Sequence, residues 1–300
     1  MITLSRQPCL HFEPDSCRDS FDREPFGFTH NLSELDLFAP DSLLSLAEKY
    51  ADHPRDHYVA AGAPSPGAEF YSVPYTGYGP YEAISRLDSV GCRVLMKRPE
   101  KHDPRFRELL DTLFRQIVDL RGGLGRQRVI RLESGILISS AATTTPFHFD
   151  PEINFFAQIH GEKMYHVYSP SAVSEAELER FYIRGAVNIG QVKLQGRDRA
   201  REHVFALVPG KGFHQPQNAP HWVETCESRS VSYALVFETD ATRAQGRVRA
   251  FNYYLRKLRL TPAPLRVHPR LDLMKSATMR AVIPCRKAVV KILETILEHI

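Results

Sequence analysis

The sequence predicts a mainly β protein with flanking helices, in which a double-stranded β-helix (jelly-roll) core lies between N-terminal and C-terminal helical elements. Two observations predict it. Between about 128 and 238 the chain breaks into short apolar segments, GILISSAA, NFFAQI, KMYHVY, EHVFALV, HWVETC and SVSYALVF, separated by Gly, Pro and Asn. Short runs bounded by turn residues read as strands, and this density of them points to a barrel or double-sheet jelly roll. On either side, apolar residues recur instead at helical spacing. Residues 1–125 are therefore expected to form a helical and loop region packing on the core, 126–240 the core itself, and 241–300 a helical extension.

Taken in order, residues 1–35 are polar, broken by Pro14 and Pro25, and show no clear period. Asp41 is the expected N-cap of a helix over SLLSLAEKY that ends before Pro54. Residues 54–80 carry five prolines (54, 64, 66, 74 and 80) and several glycines, and read as loop and turn. EAISRLDSV reads as helix and RVLMK as a short strand. Residues 104–120 form a stronger helix, with Phe106, Leu109, Leu110, Leu113, Phe114 and Ile117 on one face and Gly122-Gly123 as its stop. NFFAQIHGEKMYHVY is expected to be a hairpin turning near Gly161. Beyond 240, RVRAFNYYLRKL, DLMKSATMRAVI and RKAVVKILETILEHI read as helices. The last carries an apolar stripe of Val289, Val290, Ile292, Leu293, Ile296 and Leu297, which would pack on the domain or join a homodimer through C-terminal helices.

Bulk properties narrow the function classes. Three hundred residues, 43% hydrophobic and 25% charged, suffice for a sizeable core and exclude disorder. A net charge of +4 falls well short of a nucleic-acid-binding signature. Cys9, Cys17, Cys92, Cys226 and Cys285 form no CxxC pair and no regular framework, as expected of reduced thiols in a cytoplasmic protein. The N-terminus lacks the apolar core of a signal peptide, and no run approaches membrane-spanning length, so no membrane partner is expected.

The chemistry concentrates in TTTPFHFDPEINFFAQIHGEK, residues 143–163. On a strand, positions two apart share a face, so His148 and Asp150 converge while Phe147 and Phe149 turn away. His221, in NAPHWVET, is the best third ligand. Two histidines and a carboxylate hold Fe(II) on one face and leave three positions open. Lys163 and Tyr165 share a face of the following strand, as Asn154, Phe156 and Gln158 do of the preceding one. A lysine on an apolar strand is costly unless an anion neutralises it. The distal carboxylate of 2-oxoglutarate would do so, and Thr145 could donate a hydroxyl to the same group. The rival triplet His160-Gly161-Glu162 falls on a turn and reads as a solvated tip. Asn154 either lies near the cosubstrate or satisfies local backbone groups. His214 is either an outer partner of the ligands or a hydrogen-bonded structural histidine.

The pattern T-x-x-H-x-D, then Asn154, then Lys163 fifteen residues beyond His148, then PxxxxH at Pro216–His221, resembles the JmjC-type cupin 2-oxoglutarate oxygenases. The likeness is greatest to bacterial cupin-like JmjC proteins, whose PGxGxHxPxxAPHWV run is matched from Pro209 and Gly210 through His214 and Pro216 to His221, Trp222 and Val223. It spans roughly 90–275; Lys211 departs from the acidic residue many of them carry. The resemblance implies iron ligation by His148, Asp150 and His221, and cosubstrate binding by Thr145 and Lys163 with Asn154 nearby. His214 and Tyr165 become candidate outer partners. It implies Fe(II), 2-oxoglutarate and O2 as cofactor and cosubstrates, and hydroxylation of a C–H bond of a peptide, protein side chain or small metabolite through a ferryl species. Demethylation is less favoured, because no reader domain or zinc-finger cysteine set accompanies the core. A non-catalytic, metal-binding regulatory protein is the alternative. A cupin using another divalent metal for isomerisation or hydrolysis is a third reading, and it leaves Lys163 without its anion.

Overall fold

The computed structural model of the chain describes residues 7–13, 18–184 and 189–297, the segment 285–297 as backbone only. Among the described residues, thirteen strands form two antiparallel sheets: β1 (Leu10–His11), β2 (Phe26–His30), β3 (His57–Ala61), β4 (Cys92–Lys97), β5 (Val129–Ser139), β6 (Thr144–Phe149), β7 (Ile153–His160), β8 (Lys163–Tyr168), β9 (Gly190–Gln191), β10 (Glu202–Leu207), β11 (Lys211–Gln215), β12 (Pro220–Thr225) and β13 (Ser230–Thr239). The larger sheet runs β1-β2-β11-β7-β13-β5-β4-β3, the smaller β10-β8-β12-β6-β9. This is the mainly β, double-sheet jelly roll that the strand density predicts.

Alternation sorts the side chains. Phe156, Phe213 and Ala234 of the larger sheet meet Tyr165, Val167 and Val223 of the smaller one between the layers. The opposite face of the larger sheet, with Ile136, Phe155, Tyr233 and Phe237, packs on the helix Pro104–Arg121. The outer face of the smaller sheet, with Phe147, Phe149, Tyr168 and Trp222, lies under Leu178, Tyr182 and Ala250 of the helices Glu175–Tyr182 and Asp240–Lys257. Both faces of β7 and β13 are covered, which is why their sequences are nearly continuous apolar runs. The helix Pro104–Arg121 follows its expected pattern. Asp103 caps its first turn by accepting from the Arg105 amide, Gly122 ends it in the left-handed region, and Phe114 packs 5.3 Å from Phe237.

Local expectations fail in four places. The first helix spans Pro40–Glu48, so Ala39 is its cap and Asp41 lies inside its first turn; proline at the first helical position is pre-set for it. Residues 1–35 contain β2, whose Phe26, Phe28 and His30 do alternate inward, but over too few residues to stand out. The proline-rich stretch 54–80 contains β3, held by β4 rather than by its own pattern. EAISRLDSV is divided between two short helices, Pro80–Ser85 and Leu87–Val90.

The expected hairpin at Gly161 is also corrected. β7 pairs with β11 and β13, whereas β8 pairs with β10 and β12, so the turn carries the chain from one sheet to the other. Gly161 has a φ of 65°, and a Cβ there would collide with the Arg229 carbonyl oxygen. Gly161→Ala is therefore expected to cost more than about 2 kcal/mol, combining left-handed strain with the clash. A thermal melt several degrees below wild type is the expected result; an unchanged melt would mean the corner has room.

The helix Pro269–Leu297 contains Pro284, and the side chains of the Val289–Leu297 stripe, like that of Cys285, lie outside the described residues, as do Cys17 and the first six residues. Cys9, Cys92 and Cys226 are free thiols. No described helix is long and apolar enough to cross a membrane.

Candidate metal centre

The site begins with an irregularity in β6. His148 stands opposite His221 and Thr145 opposite Val223, so two residues of β6, Pro146 and Phe147, face the single Trp222 of β12. Pro146 lies within this bulge, where it has no N–H to give to the ladder. The bulge turns Thr145 and His148, three apart, both toward the interior; strict alternation would have placed them on opposite faces.

Each histidine is then aimed by the backbone two residues before it. His148 Nδ1 donates to the Pro146 carbonyl at 2.7 Å and His221 Nδ1 to the Ala219 carbonyl at 3.1 Å. A carbonyl can only accept, so the proton of each neutral ring sits on Nδ1 and the Nε2 lone pair is free. Both Nε2 atoms face Asp150, at 3.9 Å from Oδ1 and 3.7 Å from Oδ2. The ligand atoms of His148, Asp150 and His221 all lie within 4.8 Å of one another, the one such group among the described residues. Burial pushes the His148 imidazole down to about 3, with the His221 charge adding to the effect, and burial also lowers His221. Both rings are therefore neutral at pH 7, the form a metal needs.

Around the triad, the Tyr165 ring stacks 5.1 Å from His221 and its hydroxyl donates to Gln215 Oε1 at 2.8 Å. Gln215 in turn donates from Nε2 to Asp150 Oδ2 at 3.3 Å. Sequence reasoning missed Gln215, because only the pairing of β11 with β2 and β7 shows that it shares the inward face of Phe213. Asn154 stands opposite Gln215, buried, with Oδ1 unpartnered. At the mouth, Phe70 packs 4.7 Å from His148, the Phe147 amide donates to the Pro66 carbonyl, and Gln191 of β9 accepts from the Phe70 amide at 2.7 Å. Pro66 and Phe70 of the proline-rich stretch, and Gln191, thus border the opening.

Deeper between the sheets, Lys163 is 3% exposed, its Nζ 5.7 Å from the Phe156 ring centre. Burial, reinforced by the charge of Arg93, lowers its ammonium to about 7. Arg93 on β4 was also missed, because RVLMK reads as a strand with solvated ends. It is 6% exposed and donates from Nη1 to Thr145 Oγ1 at 2.8 Å.

His214 does not join this group. It points out of the opposite face of β11, its ring 4.7 Å from those of Phe26 and Phe155 and 4.9 Å from that of Phe21, and Nε2 accepts from the Asp22 amide. It is the structural histidine of the two readings, since residues adjacent on a strand cannot share a face. The His160 side chain meets the Phe38 carbonyl, away from the triad.

Burial holds His30 down to about 4 and His214 down to about 3, against an ordinary 6.5. Between those values and 6.5 the unfolded chain binds more protons than the folded one. Stability is thus intact above about pH 6.5 and falls as pH drops toward 4, by up to about 1.4 kcal/mol per unit for each ring. Urea midpoints should hold from pH 7.5 to about 6.5 and then decline toward pH 5; a flat profile throughout would mean that the rings are hydrated.

No protein-family model matches the chain, and no curated protein does. Solved structures do. An X-ray structure of E. coli ycfD superposes with a TM-score of 0.54 at 17% identity, covering 93% of this chain and 69% of that one. A crystal structure of the Escherichia coli ribosomal oxygenase YcfD gives a TM-score of 0.50, also at 17% identity, covering 93% and 68%. These similarities establish the fold.

Proposed function

We propose that this protein is an Fe(II)- and 2-oxoglutarate-dependent oxygenase that hydroxylates a C–H bond of a peptide, protein side chain or small metabolite. The observation that carries the reading is the His148–Asp150–His221 triad, with both Nε2 lone pairs free and facing one carboxylate. That donor set fits iron with open positions for cosubstrate and oxygen. The buried Lys163 supplies the matching cation for a dicarboxylate's far end.

In this reading, His148, Asp150 and His221 hold the metal. When bound, iron couples conversion of 2-oxoglutarate and O2 to succinate and CO2 with delivery of one oxygen atom to the substrate. The Pro146 and Ala219 carbonyls fix the imidazole orientations, and Gln215 holds the Asp150 carboxylate. Lys163 and the Thr145 hydroxyl bind the distal carboxylate. Phe156, Tyr165 and Phe213 line the space between the sheets and limit water there. Since one solved structure with this fold is named a ribosomal oxygenase, a protein side chain is the first substrate class to test.

The test is an anaerobic titration with Fe(II) and 2-oxoglutarate, watching for a weak visible charge-transfer band, followed by oxygen-dependent succinate release. A band that needs far more cosubstrate in Lys163→Ala is expected. Folded, iron-loaded protein with no band would sink the cosubstrate assignment in favour of a non-catalytic metal-binding protein.

A further inference from the structure

We infer that the anion grip of this pocket is a two-cation clamp in which Arg93, reaching from the opposite sheet, holds the ligand's distal carboxylate together with Lys163 and orients Thr145 toward it. The inference rests on the cosubstrate reading above and names the residue that sets its selectivity.

Three observations carry it. Arg93 sits on the inner face of β4, whose other face (Cys92, Val94 and Met96) is core, so its guanidinium enters the gap between the sheets. One arm, Nη1, is spent on Thr145, while Nε is buried without a partner. Lys163 enters the same gap from the smaller sheet, and neither cation forms an ion pair with a described carboxylate.

Two buried cations that repel each other, with no anion beside them, are costly to keep. Water can solvate such a pair but cannot neutralise it; a carboxylate between them does. The two side chains are not equivalent in this role. A guanidinium keeps its charge when buried and presents a planar fork that matches a carboxylate, whereas an ammonium is a point charge that burial readily discharges. Arg93 is thus the permanent half of the clamp. Because Thr145 Oγ1 accepts from Arg93, its own hydroxyl proton is free to be donated onward to the ligand. Thr145 therefore belongs to the grip through Arg93 and not by strand position alone.

The clamp should decide whether a keto acid carries a second carboxylate. The test measures anaerobic binding, on the Fe(II)-loaded protein, of 2-oxoglutarate and of 2-oxobutyrate, which has the same keto-acid head and no distal carboxylate. Wild type, Arg93→Gln, Arg93→Lys and Lys163→Gln are compared, with metal affinity and thermal melts recorded for each. Wild type is expected to prefer 2-oxoglutarate by about 100-fold or more, since a buried donor set left unpaired rejects the shorter ligand. Arg93→Gln should reduce that preference to about tenfold or less, leaving 2-oxobutyrate and metal binding unchanged. Arg93→Lys, which keeps the charge and loses the fork, should fall between, and it serves as the test if Arg93→Gln does not fold. An unchanged preference in the Arg93 variants, or equal loss of both keto acids, would overturn the clamp. Should wild type bind neither keto acid but bind succinate in an Arg93-dependent way, the oxygenase reading fails and the clamp stands. Binding of none of the three would end both.

Discussion

His148→Ala is expected to lower affinity for Fe(II), or for Co(II) or Mn(II) as probes, by more than about 100-fold, beyond what loss of an outer partner costs. His148 supplies one of only three protein donors, and its Nε2 is already freed by the Nδ1 bond to Pro146. Neither of the neighbouring histidines can replace it, because His160 is turned to the Phe38 carbonyl and His214 to the opposite face of β11. His221→Ala should behave alike, and His160→Ala should bind metal as wild type does. Equilibrium dialysis against a competing chelator reads all three. Wild-type affinity in folded His148→Ala protein would show that the triad is not the metal centre.

Gln215→Leu and His214→Phe separate the two faces of one strand. Gln215 restrains Asp150 and is itself held by the Tyr165 hydroxyl, so removing its amide frees the carboxylate to rotate. Its loss is expected to reduce metal affinity about 10–100-fold with little change in melting temperature. His214, one residue earlier, is stacked among Phe21, Phe26 and Phe155 and should leave metal affinity within about threefold. Phenylalanine there should also remove the His214 share of the acid sensitivity. If the two variants exchanged phenotypes, the inward phase of β11 would be wrong.

The legible part of the site was local or chemically conspicuous. His148 and Asp150 are two apart at the end of β6, Asp150 lying just beyond its last residue, and a strand's period is a property of its own backbone. Lys163 stood out because a cation in an apolar strand demands a partner. Arg93 did not, since it lies at the end of RVLMK, where a charged residue is expected to be solvated. Only the pairing of β4 with β5 and β3, inside the larger sheet, turns it into the gap. His214 and Gln215 were similarly ambiguous. The turn-rich run PGKGFHQPQ shows no phase of its own, and it is β11's register on β2 and β7 that points Gln215 inward.

By itself, the sequence determined the mainly β core, the long helix after Asp103, and the two residues that begin the candidate metal centre. These depend on periods and caps that act within one segment. The tertiary structure alone decided that Gly161 is a crossing between sheets and not a hairpin tip. It alone decided that the bulge at Pro146 brings Thr145 to the side of His148, that Arg93 reaches Thr145, and that Gln215 reaches Asp150. Periodicity reports which side of its own strand a residue occupies. Which strand lies across from it is settled by backbone hydrogen bonds and packing between segments far apart in the chain.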